Sequence, residues 1–482
     1  MGLNTKIFKN TGYLTIGNQI GNLLQFFFFL YFARQFGEKI VGQYSFAFSF
    51  TYIFSVIADL GLSSFLIREI ARDLSGNRQL FASSLILRLL SLAFVSFWAF
   101  IVIIVFPSYF HKIIIKIILL MGLYHLFFSL ADVILAEFKA HDRMGLVALL
   151  NIFVRFIISI SGISLIMLQF DFLTILICFP IGSLIYLIVC IYFSARYFKL
   201  IRLQFKELNL TNLFIKLLPF AFTIFFVEML HHQDILMLKF FKNDQIVGIY
   251  SVANKVVIIF LGVLLFVHTA LLPTMSQLYV ESKTKLIHTA KQSLRYMVMI
   301  GFPLSTGLYA VSDKTIVFLF SDTFKDSVSA LNILCWTIVF SFAAITYSAL
   351  LTSINRQTVK GISLGICLAF NFILNLLLIP KMSYNGAAMA KLMTEALHFI
   401  LFAYFSTKYF ASLSIHKIII KPAASCLLMY VAIRFFYQWN LFVLILISIL
   451  IYFVSLLVLK GYTEEEAEFI KHFFFKKAIQ MK

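Results

Sequence analysis

Residues Ile40–Ala47 read IVGQYSFA, and residues Ile246–Ala253 read IVGIYSVA. At an offset of 206 residues, Ile40, Val41, Gly42, Tyr44, Ser45 and Ala47 each meet their own kind. Each copy opens the second apolar segment of a group of six. Each follows a short polar break, Gly37–Lys39 in one case and Lys242–Gln245 in the other. Matched placement of this kind points to internal duplication. In a chain that crosses a membrane many times, duplication is the mark of a two-lobed carrier whose path lies where the lobes face each other.

Composition puts the chain in a membrane. Hydrophobic residues make up 61% and charged residues 13%, against about 25% charged in a soluble domain. A span needs about 20 mostly apolar residues, and fourteen stretches meet that requirement. The expected class is an all-α polytopic membrane protein with 14 transmembrane helices. Residues 1–196 form a first six-helix lobe, 197–213 a linker, 214–409 a second six-helix lobe, 410–459 two further helices and 460–482 a tail. In the tail, Thr463 and Glu466 have capping-box spacing, and Phe469, Phe473 and Phe474 form one apolar face. This reads as a short helix lying on the membrane surface.

The net charge of +19 is explained by the positive-inside rule rather than by nucleic acid. Lys and Arg concentrate in one set of short loops, which places both termini in the cytoplasm. No cleavable signal precedes the first apolar run. The five cysteines are scattered through apolar segments without metal spacing, as small apolar filler. Walker, HExxH and GxSxG motifs are absent from the sequence, so neither an enzyme, a metal site nor a cofactor is expected.

Polar side chains inside the spans are the informative ones, because a charge facing lipid costs at least about 2.5–3.5 kcal/mol. The first span carries Asn18, Asn22 and Gln25 on one face. The seventh carries Glu228, His231, His232 and Asp234. Under the 206 offset Asn22 meets Glu228, and Gln25 meets His231. The two lobes therefore present corresponding polar stripes, one neutral and one titratable. Glu228, His231, His232, Asp234 and Glu395 are candidates for ion coupling.

Arg155 and Lys255 sit near mid-depth of the fifth and eighth spans. They are the best candidates to meet an anionic substrate, with Arg88 nearer one end. Lys391, Glu395 and His398 share a face of the twelfth span, which leaves open either mutual neutralisation of Lys391 and Glu395 or a role in transport. Gly301, Pro303 and Gly307 are expected to interrupt the ninth span, and Pro219 the seventh.

Several stretches point to a family. Asp59–Asp73, DLGLSSFLIREIARD, resembles the stretch that closes the second span of polysaccharide-exporting flippases in the MOP exporter superfamily. Gly42–Ala47 is similar to their opening of that span. Glu137–Met144 (EFKAHDRM), Leu350–Gln357 (LLTSINRQ) and Asn385–Ala390 (NGAAMA) stand in matching places. The resemblance implies a V of two six-helix lobes plus two helices.

It also implies transport of an undecaprenyl-pyrophosphate-linked repeat unit, of the O-antigen type, across the bacterial inner membrane, with membrane lipids, a polysaccharide polymerase and a chain-length regulator as partners. A cationic cavity would take the pyrophosphate, which suits Asn22, Gln25, Arg88, Arg155, Lys255 and Lys391. Asp59 and Arg68, which match the family's motif, would either lock a cytoplasmic gate or simply fix the loop. The alternative within the superfamily is a MATE-like multidrug or cation antiporter, which calls for acids at the cavity centre.

Overall fold

The computed structural model describes residues 3–59, 61–72, 78–198 and 210–461. The tail helix expected over 460–482 and most of the linker over 197–213 lie outside the described residues. Every described element is helical. In hydrocarbon the backbone must satisfy its own hydrogen bonds, and runs of Phe, Ile and Leu leave the helix as the available solution.

The segments run in order: α1 (3–36), α2 (38–59), α3 (Arg78–Val105), α4 (Lys112–Ala140), α5 (Met144–Met167) and α6 (172–198). Then come α7 (Leu210–Phe241), α8 (Asp244–Glu281), α9 (Lys283–Ala310 with Ser312–Phe320), α10 (327–353), α11 (357–382), α12 (384–409), α13 (Ile415–Phe435) and α14 (Leu441–Val458). Length and apolarity alone select 10 helices among the described residues, or 11 with the bent α9 pair. Two of these are hairpins. Dividing them and adding α7, whose 32 residues are long enough to cross, gives the expected fourteen.

The first hairpin turns at Gly37, with φ 71° and ψ −177°, a conformation that favours glycine. The ring contact between Phe32 and Tyr44, 5.4 Å between centroids, shows that the chain has doubled back. Twelve residues of straight helix would part them by about 18 Å. The second turns at Ser383, φ 56°, after Pro380. Helix α9 runs unbroken through Gly301, Pro303 and Gly307 and bends instead by 74° at Val311. Helix α7 likewise continues through Pro219. Proline in these helices is accommodated without a break.

The principal contacts between the first six segments and the rest run through α1, α2 and the short helix Leu62–Arg72 on one side. On the other they run through α7, α8, the second piece of α9 and the turn after it. The two copies of the repeat meet each other directly. A Cβ on Gly42 would stand 1.7 Å from the Asp244 carbonyl oxygen, and one on Gly248 would stand 1.9 Å from that of Glu38. These pairs exchange under the 206 offset, so α2 and α8 cross about a local two-fold. The same end carries a polar clasp. Gln43 donates to Asp244 Oδ2 at 3.1 Å, and Gln245 donates to Glu38 Oε2 at 2.6 Å. Lys239 is paired with Asp244, and the Arg34 guanidinium donates to Leu319 O at 2.7 Å.

Candidate functional site

Below the clasp, polar side chains from both halves turn toward one another. In the first half Arg155 of α5 reaches across to α1. Its Nη1 donates to the Asn18 carbonyl oxygen at 3.0 Å and to Asn22 Oδ1 at 2.8 Å. Gly21 makes room for this, since a Cβ there would stand 2.4 Å from Arg155 Cδ. Asn151, one turn before Arg155, is held by the Tyr186 hydroxyl at 2.6 Å. Gln25 bonds the Tyr124 hydroxyl, and Tyr124 lies within electrostatic reach of Arg155.

In the second half Lys255 of α8 stands 5.4 Å from the Phe29 ring centroid, close enough to Arg155 for the two charges to repel. Among the described residues neither cation makes an ion pair. Both are partly exposed. His231 and Asn22 are exposed, and Glu395 keeps 20% of its side-chain surface open. Lys255, His231 and Glu395 nevertheless lie deep among protein atoms. Groups that are deep among protein atoms and yet partly exposed border a recess, and together these define a candidate hollow between the halves.

Glu228 bonds the Tyr52 hydroxyl of α2, and His232 lies 3.0 Å from Ser49 Oγ. Glu395 accepts from Ser341 Oγ at 2.9 Å and lies 3.5 Å from His398 Nδ1. His231 is within electrostatic reach of Glu395 and His398.

Other sequence candidates sit elsewhere. Asp234 is fully buried, away from the hollow that Glu228 and His231 border. It accepts from Tyr250 at 2.8 Å and from Asn375 at 2.8 Å. Lys391 does not neutralise Glu395. Its ammonium lies 3.8 Å from Asp234 Oδ2 and 3.1 Å from Asn254 Oδ1, so it belongs with Tyr250 and Asn375 to a buried polar cage around Asp234 and not to the hollow. Asn371 extends the cage, bonding Gln233 and Thr394.

Arg88 is likewise withdrawn. Its Nη1 lies 2.7 Å from Asp59 Oδ1, with its side chain 4% exposed. Arg68 is exposed and pairs with its neighbour Glu69, so Asp59 is tied to Arg88, and Arg68 stands apart from that pair. Sequence reasoning missed Asn151, Tyr124, Tyr52, Tyr250, Asn254, Asn371 and Asn375. A signal existed for some: Tyr250 lies in the repeat itself, and Asn371 and Asn375 are one turn apart. Among the described residues no three His, Cys, Asp or Glu side chains gather to hold a metal.

The chain matches the family described as polysaccharide biosynthesis protein over residues 7–279, more than half its length. The chain belongs to that family. A second family, MatE, matches residues 219–377.

The solved structure of the lipid II flippase MurJ in an inward closed conformation superposes with TM-score 0.75 at 18% identity, covering 97% of this chain and 99% of that one. An inward-facing multidrug resistance MATE family transporter of the MOP superfamily gives 0.65 at 15% identity, covering 82% and 95%. These likenesses establish the MOP-type fold, and these neighbours are a flippase and a transporter, not enzymes. An uncharacterized membrane protein of Bacillus subtilis (strain 168), YabM, is 26% identical over 123 residues, 25% of this chain and 23% of that protein. The match thus spans about a quarter of that curated relative's length.

Proposed function

We propose that this polysaccharide biosynthesis protein moves an undecaprenyl-pyrophosphate-linked oligosaccharide, such as an O-antigen repeat unit, across the bacterial inner membrane by alternating access. The observation that carries the reading is that Arg155 and Lys255, within electrostatic reach of one another, make no ion pair among the described residues. Two like charges deep in a bundle, without carboxylates to neutralise them, are costly. A pyrophosphate entering the hollow removes that cost and gains charge-assisted hydrogen bonds.

A lipid tail also has a place. An apolar groove of about 1010 Å³ runs between α8, α9, α13 and α14, lined by Phe260, Leu304, Met429, Ile445 and Phe453. Val256 in its lining follows Lys255 on the same helix. The headgroup thus sits in the hollow while the tail keeps to hydrocarbon. The clasped end faces outward and the Arg68 end inward, in keeping with the bias of Lys and Arg among the loops. Polymerase and chain-length regulator take the product on the outer side.

The MatE match and the two acids Glu228 and Glu395 favour a second reading, a cation antiporter. Arg155 and Lys255 repel the cation that such a carrier would bind.

The test is deletion of the gene followed by analysis of lipid-linked glycans. A glycan accumulating on the inner leaflet, cleared by the wild-type chain but not by an Arg155→Ala/Lys255→Ala double variant present at equal level, supports the proposal. Full clearance by that variant, or drug-driven ion movement with no effect on glycan, sinks it.

A further inference from the structure

The hollow has two chemically different walls. One holds Arg155, Lys255, Asn18 and Asn22. The other holds Glu228 and His231 from α7 with Glu395 and His398 from α12. These last four are partly exposed or exposed and have no ion pair to the cationic wall among the described residues. His398 and Glu395 face one another across 3.5 Å, and Ser341 holds the Glu395 carboxylate from behind.

Two tyrosines link the walls. Tyr124 is within reach of Arg155, and Tyr52 bonds Glu228. The Tyr52 ring lies 4.7 Å from the His232 ring and 5.4 Å from that of His125.

A carboxylate wall cannot take a phosphate, because like charges in a partly desolvated site repel. It is instead an acceptor surface: carboxylate oxygens and imidazole nitrogens accept hydrogen bonds from neutral donors. The donor-rich part of a lipid-linked glycan is its ring of hydroxyls.

We propose that Glu228, His231 and Glu395 form the glycan-reading wall, accepting sugar hydroxyls with His398 orienting the Glu395 carboxylate, while Arg155 and Lys255 hold the pyrophosphate. The assignment rests on the pyrophosphate reading above and adds to it which residues choose the sugar. It also fixes orientation: the pyrophosphate lies toward α5 and α8, and the sugars project toward α7 and α12. A buried acceptor left without its donor penalises a ligand that lacks the hydroxyl, so such a wall discriminates strongly.

The experiment uses the full-length protein in lipid nanodiscs and two probes. One is sugar-free undecaprenyl pyrophosphate. The other is the lipid-linked glycan that accumulates in host cells lacking this chain. Wild type is expected to bind the glycan-bearing lipid about tenfold or more tighter, the size of effect that hydrogen-bonded recognition supplies. Glu395→Gln and His231→Ala each reduce that preference to about threefold or less, leaving sugar-free binding within about twofold of wild type. Arg155→Ala weakens both probes alike.

Unchanged preference in Glu395→Gln and His231→Ala overturns the assignment. So does equal affinity of wild type for the two probes, which leaves the pyrophosphate reading standing. Failure of wild type to bind either probe removes the pyrophosphate reading, and this one with it. Retention of Tm by Glu395→Gln separates lost recognition from lost folding.

Discussion

The Lys391 ammonium stands 3.8 Å from the Asp234 carboxylate and leaves Glu395, one turn along its own helix, to Ser341 and His398. The pair joins α12 to α7, and Asn254 ties Lys391, and Tyr250 ties Asp234, to α8. With the side chains 7% and 1% exposed, it is a buried ion pair, and removal of one partner strands the other charge. Lys391→Met is therefore expected to destabilise by about 3–5 kcal/mol. The Lys391→Met/Asp234→Asn double variant should cost less than the sum of the single changes, since the two act through one interaction. Thermal unfolding of the purified protein in detergent reads both. Additive losses would show that the pair is not coupled.

That pairing also shows where sequence reading stops. Periodicity carries the fold: apolar runs give the spans, and the 206-residue repeat gives the duplication. Position along a helix was legible too, because rise per residue is fixed: Arg155 lies midway along Met144–Met167. Facing partners were not legible. Lys391 and Glu395 share a helix face at i, i+4, but the partner across the interface, Asp234, is offered by a different helix packed against it. Arg88 sat near a span end and invited a role in the cavity, whereas Asp59, 29 residues earlier, claims it. Helix packing decides such pairings, and one helix's pattern does not contain it.

Gly42 and Gly248 are the same position of the duplicated unit, and each presses on the backbone of the other copy. Neither has space for a methyl group. Gly42→Ala and Gly248→Ala should each destabilise by about 1–3 kcal/mol through overpacking, although alanine is the better helix former by about 1 kcal/mol. Gly122→Ala provides the contrast, because nothing lies within 4 Å of its Cβ position, and it should be neutral or stabilising. Unfolding temperatures of the three variants test the crossing. A neutral Gly42→Ala would mean that α2 and α8 do not approach closely there.

Arg88 and Asp59 bind α3 to the end of α2, with the Ser91 hydroxyl bonding the Ala58 carbonyl oxygen beside them at 2.7 Å. If this is a structural tie, Arg88→Ala lowers the amount of folded protein, by about 3–5 kcal/mol of stability, while surviving molecules keep their affinity for lipid pyrophosphate. A variant that folds normally but loses that affinity would instead return Arg88 to the substrate path. Quantifying folded protein by size-exclusion fluorescence, then binding per folded molecule, separates the two.

The groove between α9, α13 and α14 can be tested without touching the hollow. Gly307 lies in its lining, and a Cβ there meets only Met429 Cε, at 3.9 Å, so a large side chain can enter the groove without colliding with backbone. Gly307→Phe should fill part of it and exclude a long isoprenoid while leaving Arg155 and Lys255 as they are. The expected outcome is about a tenfold or greater loss of affinity for undecaprenyl pyrophosphate, since each displaced methylene forfeits about 0.8 kcal/mol of burial. A short-chain analogue with the same headgroup should bind nearly as before. Equal loss for both chain lengths would point to a disturbed hollow, and no loss for either would place the tail outside the groove, against the bulk lipid.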